Sequence, residues 1–268
     1  MTMTAQERDD RAAIDKAFSL LVSFGDQAST GIGVSELARR SDLSKSTAFR
    51  VLGILVRNGV VERVGSNYRL GPRLHELGTA VYSSENEQVR DILTPFLTDL
   101  FEMTRQTVHL AALHGTDVVY LAKLFGHRRV PSPSRVGGRV PASCTAVGKV
   151  LLAYTPGAID EALSEPLRSL TARSVSDPAD LSAQLFRIRR EGIAFDDEEA
   201  AQGLSCVAAP VFGAAGRPAA ALSVSGPAGD FDPRSQAAAL RRVAQAGSQA
   251  LQRAGVGSTV RRPRAIAS

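Results

Sequence analysis

Tryptophan is absent from this chain of 268 residues, and aromatic residues make up only 5% of it. Its core must therefore be built from Leu, Val, Ile and Ala. Cysteine is scarce: Cys144 and Cys206 stand far apart, no CxxC occurs, and the four histidines are scattered. That pattern argues against a disulfide framework and against a structural zinc site. Long hydrophobic runs are missing, and none reaches the roughly 18 residues that span a bilayer. The opening stretch MTMTAQERDD is polar and charged, unlike a signal peptide. These absences place the chain in the reducing cytoplasm, with no membrane, metal or cofactor expected.

Signatures of catalysis are missing as well. The stretch GLSCV at 203–207 lacks the second glycine of a nucleophile elbow. Gly148-Lys149 is followed by Val150, and Ser143 stands where a phosphate-binding loop needs glycine. Gly31-Ile32-Gly33 leads to Glu36 instead of a third glycine. Asp196, Asp197, Glu198 and Glu199 form a carboxylate run, but neighbours on a strand end face opposite sides and do not share an acid–base site. Spacing alone pairs neither cysteine with His109, His114 or His127. No catalytic residue is expected. A second reading stays open at this point: an enzyme or small-molecule sensor whose basic N-terminal domain is a protein-interaction module.

Hydrophobic residues at 44% and charged residues at 22% fit a globular protein, and the length allows two domains. The net charge of +5 is unevenly spread. Arg39, Arg40, Lys45, Arg50, Arg57, Arg63 and Arg69 face only Asp42 and Glu62, a local net of +5. Glu85, Glu87, Asp91, Asp99 and Glu102 then outweigh Arg90 and Arg105, a local net of −3. A basic block beside an acidic one is the footprint of a polyanion-binding surface, or simply of a solvated basic face.

Periodicity orders the elements. Residues 10–24 read as an amphipathic helix with Ile14, Ala17, Leu21 and Phe24 on its buried side. Residues 34–40 form a short helix, 41–44 a turn, and 45–58 a third helix capped by Ser44 and stopped by Asn58-Gly59. Two β-like runs, 60–64 and 68–70, flank Gly65-Ser66-Asn67 as a hairpin with a three-residue turn. Helix, helix, turn, helix, hairpin is the order of a winged helix-turn-helix, assigned to residues 1–71. A connecting helix follows at 72–84, with Leu74, Leu77 and Val81 on one side. Residues 85–256 form a second domain. It has a helix at 86–104, strands from Val108 and Asp117, and an exposed loop at 128–139. Helices follow at 144–154, 157–165 and 178–191, strands at 204–212 and 218–225, and a last helix at 233–253. The fold class is α+β, with an antiparallel sheet in the second domain. Residues 257–268 read as a disordered basic tail.

On the helix at 45–58, Ala48, Leu52 and Leu55 lie within about 60° of one another, and Ser46, Arg50 and Arg57 within about 40° on the opposite side. A recognition helix needs this division, because one face packs on the preceding helix while the N-terminal polar residues enter the major groove. Arg50 is placed for a bidentate contact to guanine. Ser46 and Thr47 reach bases or phosphates, and Lys45 and Arg57 add positive charge for phosphate. Asn67 and Arg69 sit on the wing, near the sugar–phosphate backbone or minor groove.

These segments resemble the IclR-type transcriptional regulators. The resemblance is carried by VSELARRSDLSKSTAFRVLGILVRNGVVERVGSNYRLGPRLHELG in the N-terminal part. Three blocks carry it in the C-terminal part: VGGRVPASCTAVGKVLLAY, REGIAFDDEEAAQGLSCVAAPVF and AAALSVSGP. It implies a GAF-like effector-binding domain, a helical linker, and homodimers that pair into tetramers. It implies binding of double-stranded DNA at a palindromic operator, and of a small organic acid, aromatic acids included. The family's ligand site carries over to Ala146 and Val147, whose backbone N–H groups at a helix start suit a carboxylate. It also carries over to Asp196, Leu204 and Cys206, and to Ser223 and Ser225, which point to one face of a strand. Val140 joins Leu204 as an apolar wall. Two positions depart from the family: Ala142 follows the proline where relatives commonly have histidine, and Ala146 stands where they have glycine. Taken without the resemblance, the cysteine is an ordinary small buried residue and the serines are structural hydroxyls.

Overall fold

A computed structural model describes residues 12–25, 31–79 and 84–257. The expectations for residues 10–11, for 80–83 of the connecting helix and for 258–268 of the tail lie outside the described residues. The chain divides into two compact units, Met1–Tyr82 and Ser83–Ser268.

The first unit contains α1 (Ala13–Ser23), β1 (Ile32–Gly33), α2 (Val34–Arg40), α3 (Lys45–Arg57), β2 (Val61–Val64), β3 (Asn67–Leu70) and α4 (Arg73–Thr79). Its strands form one antiparallel sheet in the order β1-β3-β2. Leu20 of α1 and Phe24 just after it, Leu37 of α2, Ala48, Leu52 and Leu55 of α3, and Val61 and Tyr68 of the sheet close a single core. Ser44 caps α3, its side-chain oxygen accepting from the Thr47 N–H at 3.2 Å. The helix ends in a Schellman motif, with Val60 N–H donating to the Leu55 carbonyl and Gly59 N–H to that of Val56. Gly59 supplies the left-handed residue this requires, at φ +69°.

Two expectations for this unit need correction. The buried side of α1 is Lys16 and Leu20, continued by Phe24 at its C-cap, with Ala17 and Leu21 only partly covered, while Ile14 is 69% exposed. The hairpin turn has two residues, because Val64 pairs with Asn67. Gly65 takes the first turn position at φ +61°, the place that a type II′ turn reserves for glycine.

The second unit contains α5 (Ser84–Thr104), β4 (Thr107–His114), β5 (Asp117–Leu124) and β6 (Arg139–Pro141), then a 3₁₀ turn (Ala142–Cys144). After the turn come α6 (Ala146–Tyr154), α7 (Ala158–Ala162), α8 (Pro178–Glu191), β7 (Ala194–Asp197), β8 (Leu204–Phe212), β9 (Pro218–Pro227) and α9 (Pro233–Arg253). All six strands pair antiparallel in the order β6-β5-β4-β9-β8-β7. On one face of the sheet, α6 and α8 build a core with Tyr120, Val140, Cys206 and Ala221. On the other, α9 lies against the sheet and α5: a Cβ on Gly247 would meet Leu93 at 3.0 Å and Val211 at 3.6 Å. The helix expected at 144–154 is broken at Thr145, whose extended backbone separates the 3₁₀ turn from α6. The helix expected at 157–165 ends at Ala162. Among the described residues no helix is long and apolar enough to cross a membrane.

Candidate functional site

Two places bring the sequence-predicted residues together, one in each unit. On α3 the burial pattern divides the helix. Ala48, Val51, Leu52 and Leu55 are buried, whereas Lys45, Ser46, Arg50 and Arg57 are exposed and Thr47 is half-buried. Among the described residues, no carboxylate pairs with Lys45, Arg50 or Arg57. Other cations of the basic block are already engaged. Glu36 accepts from both Arg39 and Arg40 at 2.7 Å, and these two guanidinium groups hold its carboxyl down to about 2. Arg69 donates to Glu62 across the hairpin at 2.7 Å. Of the block's cations without a carboxylate partner among the described residues, Lys45, Arg50 and Arg57 lie on α3, and Arg63 of β2 donates only to the Gly65 carbonyl at 3.2 Å. Its hydroxyls are linked too, Ser44 Oγ lying 2.9 Å from Thr47 Oγ1 and 3.1 Å from Ser46 Oγ. Asn67 and Arg69 are exposed on the wing. The sequence reading did not single out Phe49, 53% exposed on the same helix. An exposed apolar ring there suits a thymine methyl.

In the second unit, Ala146, Val147, Asp196, Leu204, Cys206, Ser223 and Ser225 line one small cavity. They meet because β8 and β9 pair with Cys206 opposite Ser225, while Thr145 starts α6 at the cavity wall. Val140 is buried in the neighbouring core and does not line the cavity. The start of α6 presents backbone donors at this wall. Gly148 N–H donates to the Thr145 side chain at 2.9 Å and Lys149 N–H to the Thr145 carbonyl at 2.9 Å. The N–H groups of Ala146 and Val147, both buried, have no acceptor among the described residues. Buried N–H groups are almost always paired, so two free ones at a helix start mark a place for an acceptor that carries negative charge.

Electrostatics around the cavity come from burial. Asp196 is pushed up to about 7, chiefly by burial, although the Glu199 N–H donates to it at 2.8 Å. Burial and the Asp196 charge also raise Cys206, so its sulfur stays a thiol. Burial raises Tyr120 in the same way. Next to Asp196, Lys149 Nζ donates to Glu199 at 2.5 Å and to Gln184 at 3.0 Å, an ion pair enclosed in the core.

Sequence reasoning missed the other seven residues of this wall: His109, Tyr120, Thr145, Ala200 and the run Ser132, Pro133 and Ser134. His109 stands opposite Ser223 on the adjacent strand, and its Nδ1 lies 3.2 Å from the Ser223 hydroxyl. Burial, then the nearby Lys123 charge, hold its imidazole down at about 3, so it is neutral. The Tyr120 ring packs on it at 5.3 Å between centroids. Among the described residues, no group of three or more His, Cys, Asp or Glu is placed to hold a metal.

The family models agree with this arrangement. Residues 13–65 match the IclR helix-turn-helix domain, and residues 81–251 match the C-terminal domain of bacterial IclR transcriptional regulators. The chain is 36% identical over 217 residues to the HTH-type transcriptional regulator XynR of Escherichia coli, covering 80% of this chain and 85% of that protein. It is 34% identical over 227 residues to the regulator KdgR of Dickeya chrysanthemi, covering 83% and 73%. A solved IclR homologue from Microbacterium hydrocarbonoxydans, complexed with 4-hydroxybenzoate, superposes with a TM-score of 0.74 at 29% identity, over 91% of this chain and all of the other. A winged helix with an unopposed cationic face, a second domain with an enclosed acceptor-seeking cavity, and matches along nearly the whole length have one reading: the chain belongs to the IclR family of bacterial transcriptional regulators, ligand-responsive DNA-binding proteins and not enzymes.

Proposed function

We propose that this regulator works in the cytoplasm as a homodimer on a palindromic operator of a catabolic operon, and that a small organic acid sets its affinity for that operator. Residues 1–71 serve as the DNA-binding domain, 72–84 as the linker, 85–256 as the effector domain and 257–268 as a basic tail. Arg50 reads a base pair, with Ser46 and Thr47 beside it. Lys45 and Arg57 meet phosphates, and Asn67 and Arg69 steady the wing. The effector's carboxylate lies on the N–H groups of Ala146 and Val147, with Asp196, Leu204, Cys206, Ser223 and Ser225 around the rest of it.

One observation carries the effector assignment: two buried N–H groups without an acceptor among the described residues belong to a wall made by those residues. The aromatic faces of Tyr120 and His109 favour a planar acid, and a solved relative is complexed with 4-hydroxybenzoate.

Linkage supplies the test. The factor by which an acid changes operator affinity must equal the factor by which operator DNA changes affinity for the acid. Fluorescence anisotropy on the DNA flanking the gene, with 4-hydroxybenzoate and a panel of small acids, measures the first factor, and calorimetry the second. Ala146→Pro is the decisive variant. Proline suits the first position of a helix, and Thr145 before it already has the extended backbone that proline demands (φ −132°, ψ 146°). It removes one donor and should weaken the acid about tenfold or more, the effect of losing a hydrogen bond to a charged group. Equal affinity in the folded variant would remove the α6 start from the effector site.

A further inference from the structure

The cavity that gathers these residues measures about 20 Å³, room for one water and no organic acid. What fills the remaining space is a piece of the same chain. Between β5 and β6 the backbone runs out through Phe125, Arg128, Arg129, Pro131, Arg135 and Val136, all exposed, yet Ser134 in the midst of them is only 5% exposed. Its hydroxyl lies 3.0 Å from His109 Nε2, 2.9 Å from Lys123 Nζ and 2.6 Å from Ser132 Oγ. All three donors of Lys123 are spent on this strap: Ser132 Oγ at 3.2 Å, and the Ser134 carbonyl and hydroxyl each at 2.9 Å. Among the described residues Lys123 has no carboxylate partner, although it is half-buried beside the Phe125 ring and Arg129. A desolvated ammonium held by neutral oxygens is held less strongly than a carboxylate would hold it.

Outside the strap lies a cleft of about 600 Å³, lined by Lys123, Phe125, Arg129, Val130, Pro131 and the two serines, among others. Ser132 and Ser134 border both the cleft and the inner cavity. Withdrawing them joins the two spaces. The proton arrangement also permits exchange. With Lys123 and Ser132 donating to Ser134 Oγ, the Ser134 proton goes to His109 Nε2 and His109 Nδ1–H donates to Ser223. An incoming hydroxyl preserves that pattern. An incoming carboxylate reverses it, with His109 Nε2–H donating outward and the Ser223 hydroxyl turning to donate to Nδ1.

We propose that Ser134 stands in for part of the effector: the effector is an organic acid with a second hydroxyl or carboxylate oxygen, which displaces Ser134 and takes its place between His109 and Lys123. These two residues then choose the effector, and the strap must withdraw for it to enter. The inference rests on the reading that the first carboxylate sits at the start of α6.

Cys206 reports on the strap, because its sulfur lines the cavity, and Cys144, buried elsewhere, is the internal control. The full chain is treated with methyl methanethiosulfonate, and each cysteine is followed by peptide mass spectrometry. Ser134→Ala should speed labelling of Cys206 about tenfold or more, as expected for a closing equilibrium that loses a net hydrogen bond, and leave Cys144 unchanged. Labelling at the wild-type rate in a folded Ser134→Ala protein would overturn the strap. Matched acids then compete with the reagent at up to about 10 mM, where even a millimolar binder is saturating: benzoate against 4-hydroxybenzoate and terephthalate, butyrate against succinate. The acids with a second oxygen should protect Cys206 at lower concentration than their plain partners, and Lys123→Met should erase that advantage. If plain acids protect equally well, or the advantage survives Lys123→Met, the acid reading stands and the role given to His109 and Lys123 is refuted. If no acid protects while Ser134→Ala still accelerates labelling, the acid reading itself falls and takes the proposed ligand class with it.

Discussion

Replacing Gly148 by alanine should destabilise the effector unit by about 2 kcal/mol, although alanine is the better helix former. Gly148 is the third residue of α6, and the 3₁₀ turn passes directly over it. A Cβ there would lie 2.6 Å from the carbonyl carbon of Ala142 and closer still to that residue's oxygen and Cα. These are backbone atoms and cannot rotate aside, so the turn or the helix must move by roughly an ångström. Overpacking that shifts backbone costs about 3 kcal/mol, the upper part of its usual range, and the gain in helix propensity returns about 1. For a domain of this size the melting temperature should fall by about 4–8 °C. Gly53 of α3 is the control. Its added methyl would meet nothing nearer than the Arg57 guanidinium at 4.0 Å. Gly53→Ala should therefore gain up to about 1 kcal/mol from helix propensity alone. Differential scanning calorimetry of both variants decides the matter. A Gly148→Ala protein that melts at or above the wild-type temperature would refute the close approach. The same displacement would carry Thr145, Ala146 and Val147 with it, so weakened acid binding should accompany the lower stability.

Three further outcomes are expected. Arg50→Ala should reduce the preference for operator over random DNA by about 1–3 kcal/mol, the worth of a bidentate base contact, in competition gel shifts; an undiminished preference would mean that another residue reads the site. Asp196 titrates near 7 in the fold against an ordinary carboxyl value of 3.8. The folded chain thus holds a proton that the unfolded chain has released, and this group lowers stability progressively as pH rises from about 4 to about 7. Asp196→Asn should flatten that part of the stability profile in urea titrations, and an unchanged slope would show that Asp196 is ionised throughout. Lys149→Met should cost about 3–5 kcal/mol, because it strands Glu199 in the core, where one carboxylate oxygen already has no partner among the described residues. Adding Glu199→Leu should recover much of that loss in chemical denaturation, and a double variant no better than the single one would count against the ion pair.

Local patterns were the most legible part of the fold. The division of α3 into buried and exposed faces follows from one helix's own periodicity, and its ends follow from Ser44 and Asn58-Gly59. The α1 helix was harder, because apolar residues lie all round it. Which stripe is buried depends on what packs against it, and the aliphatic stem of Lys16 takes a place that a polar residue would not be given. The short edge strands β6 and β7 carry three and four residues, too few for alternation to register. In the effector domain, motif resemblance led to seven cavity residues, but His109 came to light only through β4 pairing with β9, which joins positions 114 apart in the chain. Most of the loop expected at 128–139 is exposed, although Arg139 already belongs to β6. No one-dimensional signal marks Ser134 as the residue that turns inward, because its burial is decided by Lys123 and His109 on other strands.

Strand β9 has a consequence for how the protein can change. Ala221, Ser223 and Ser225 look toward α6 and the cavity, while alternation turns Leu222 and Val224 to the opposite layer, where α9 lies. The cavity face and the packing face are thus written on alternate letters of one segment. On the proposed effector site, substitution at 223 or 225 changes the cavity face and leaves the side chains of the opposite layer in place, so responsiveness could drift across descendants while the scaffold stays the same.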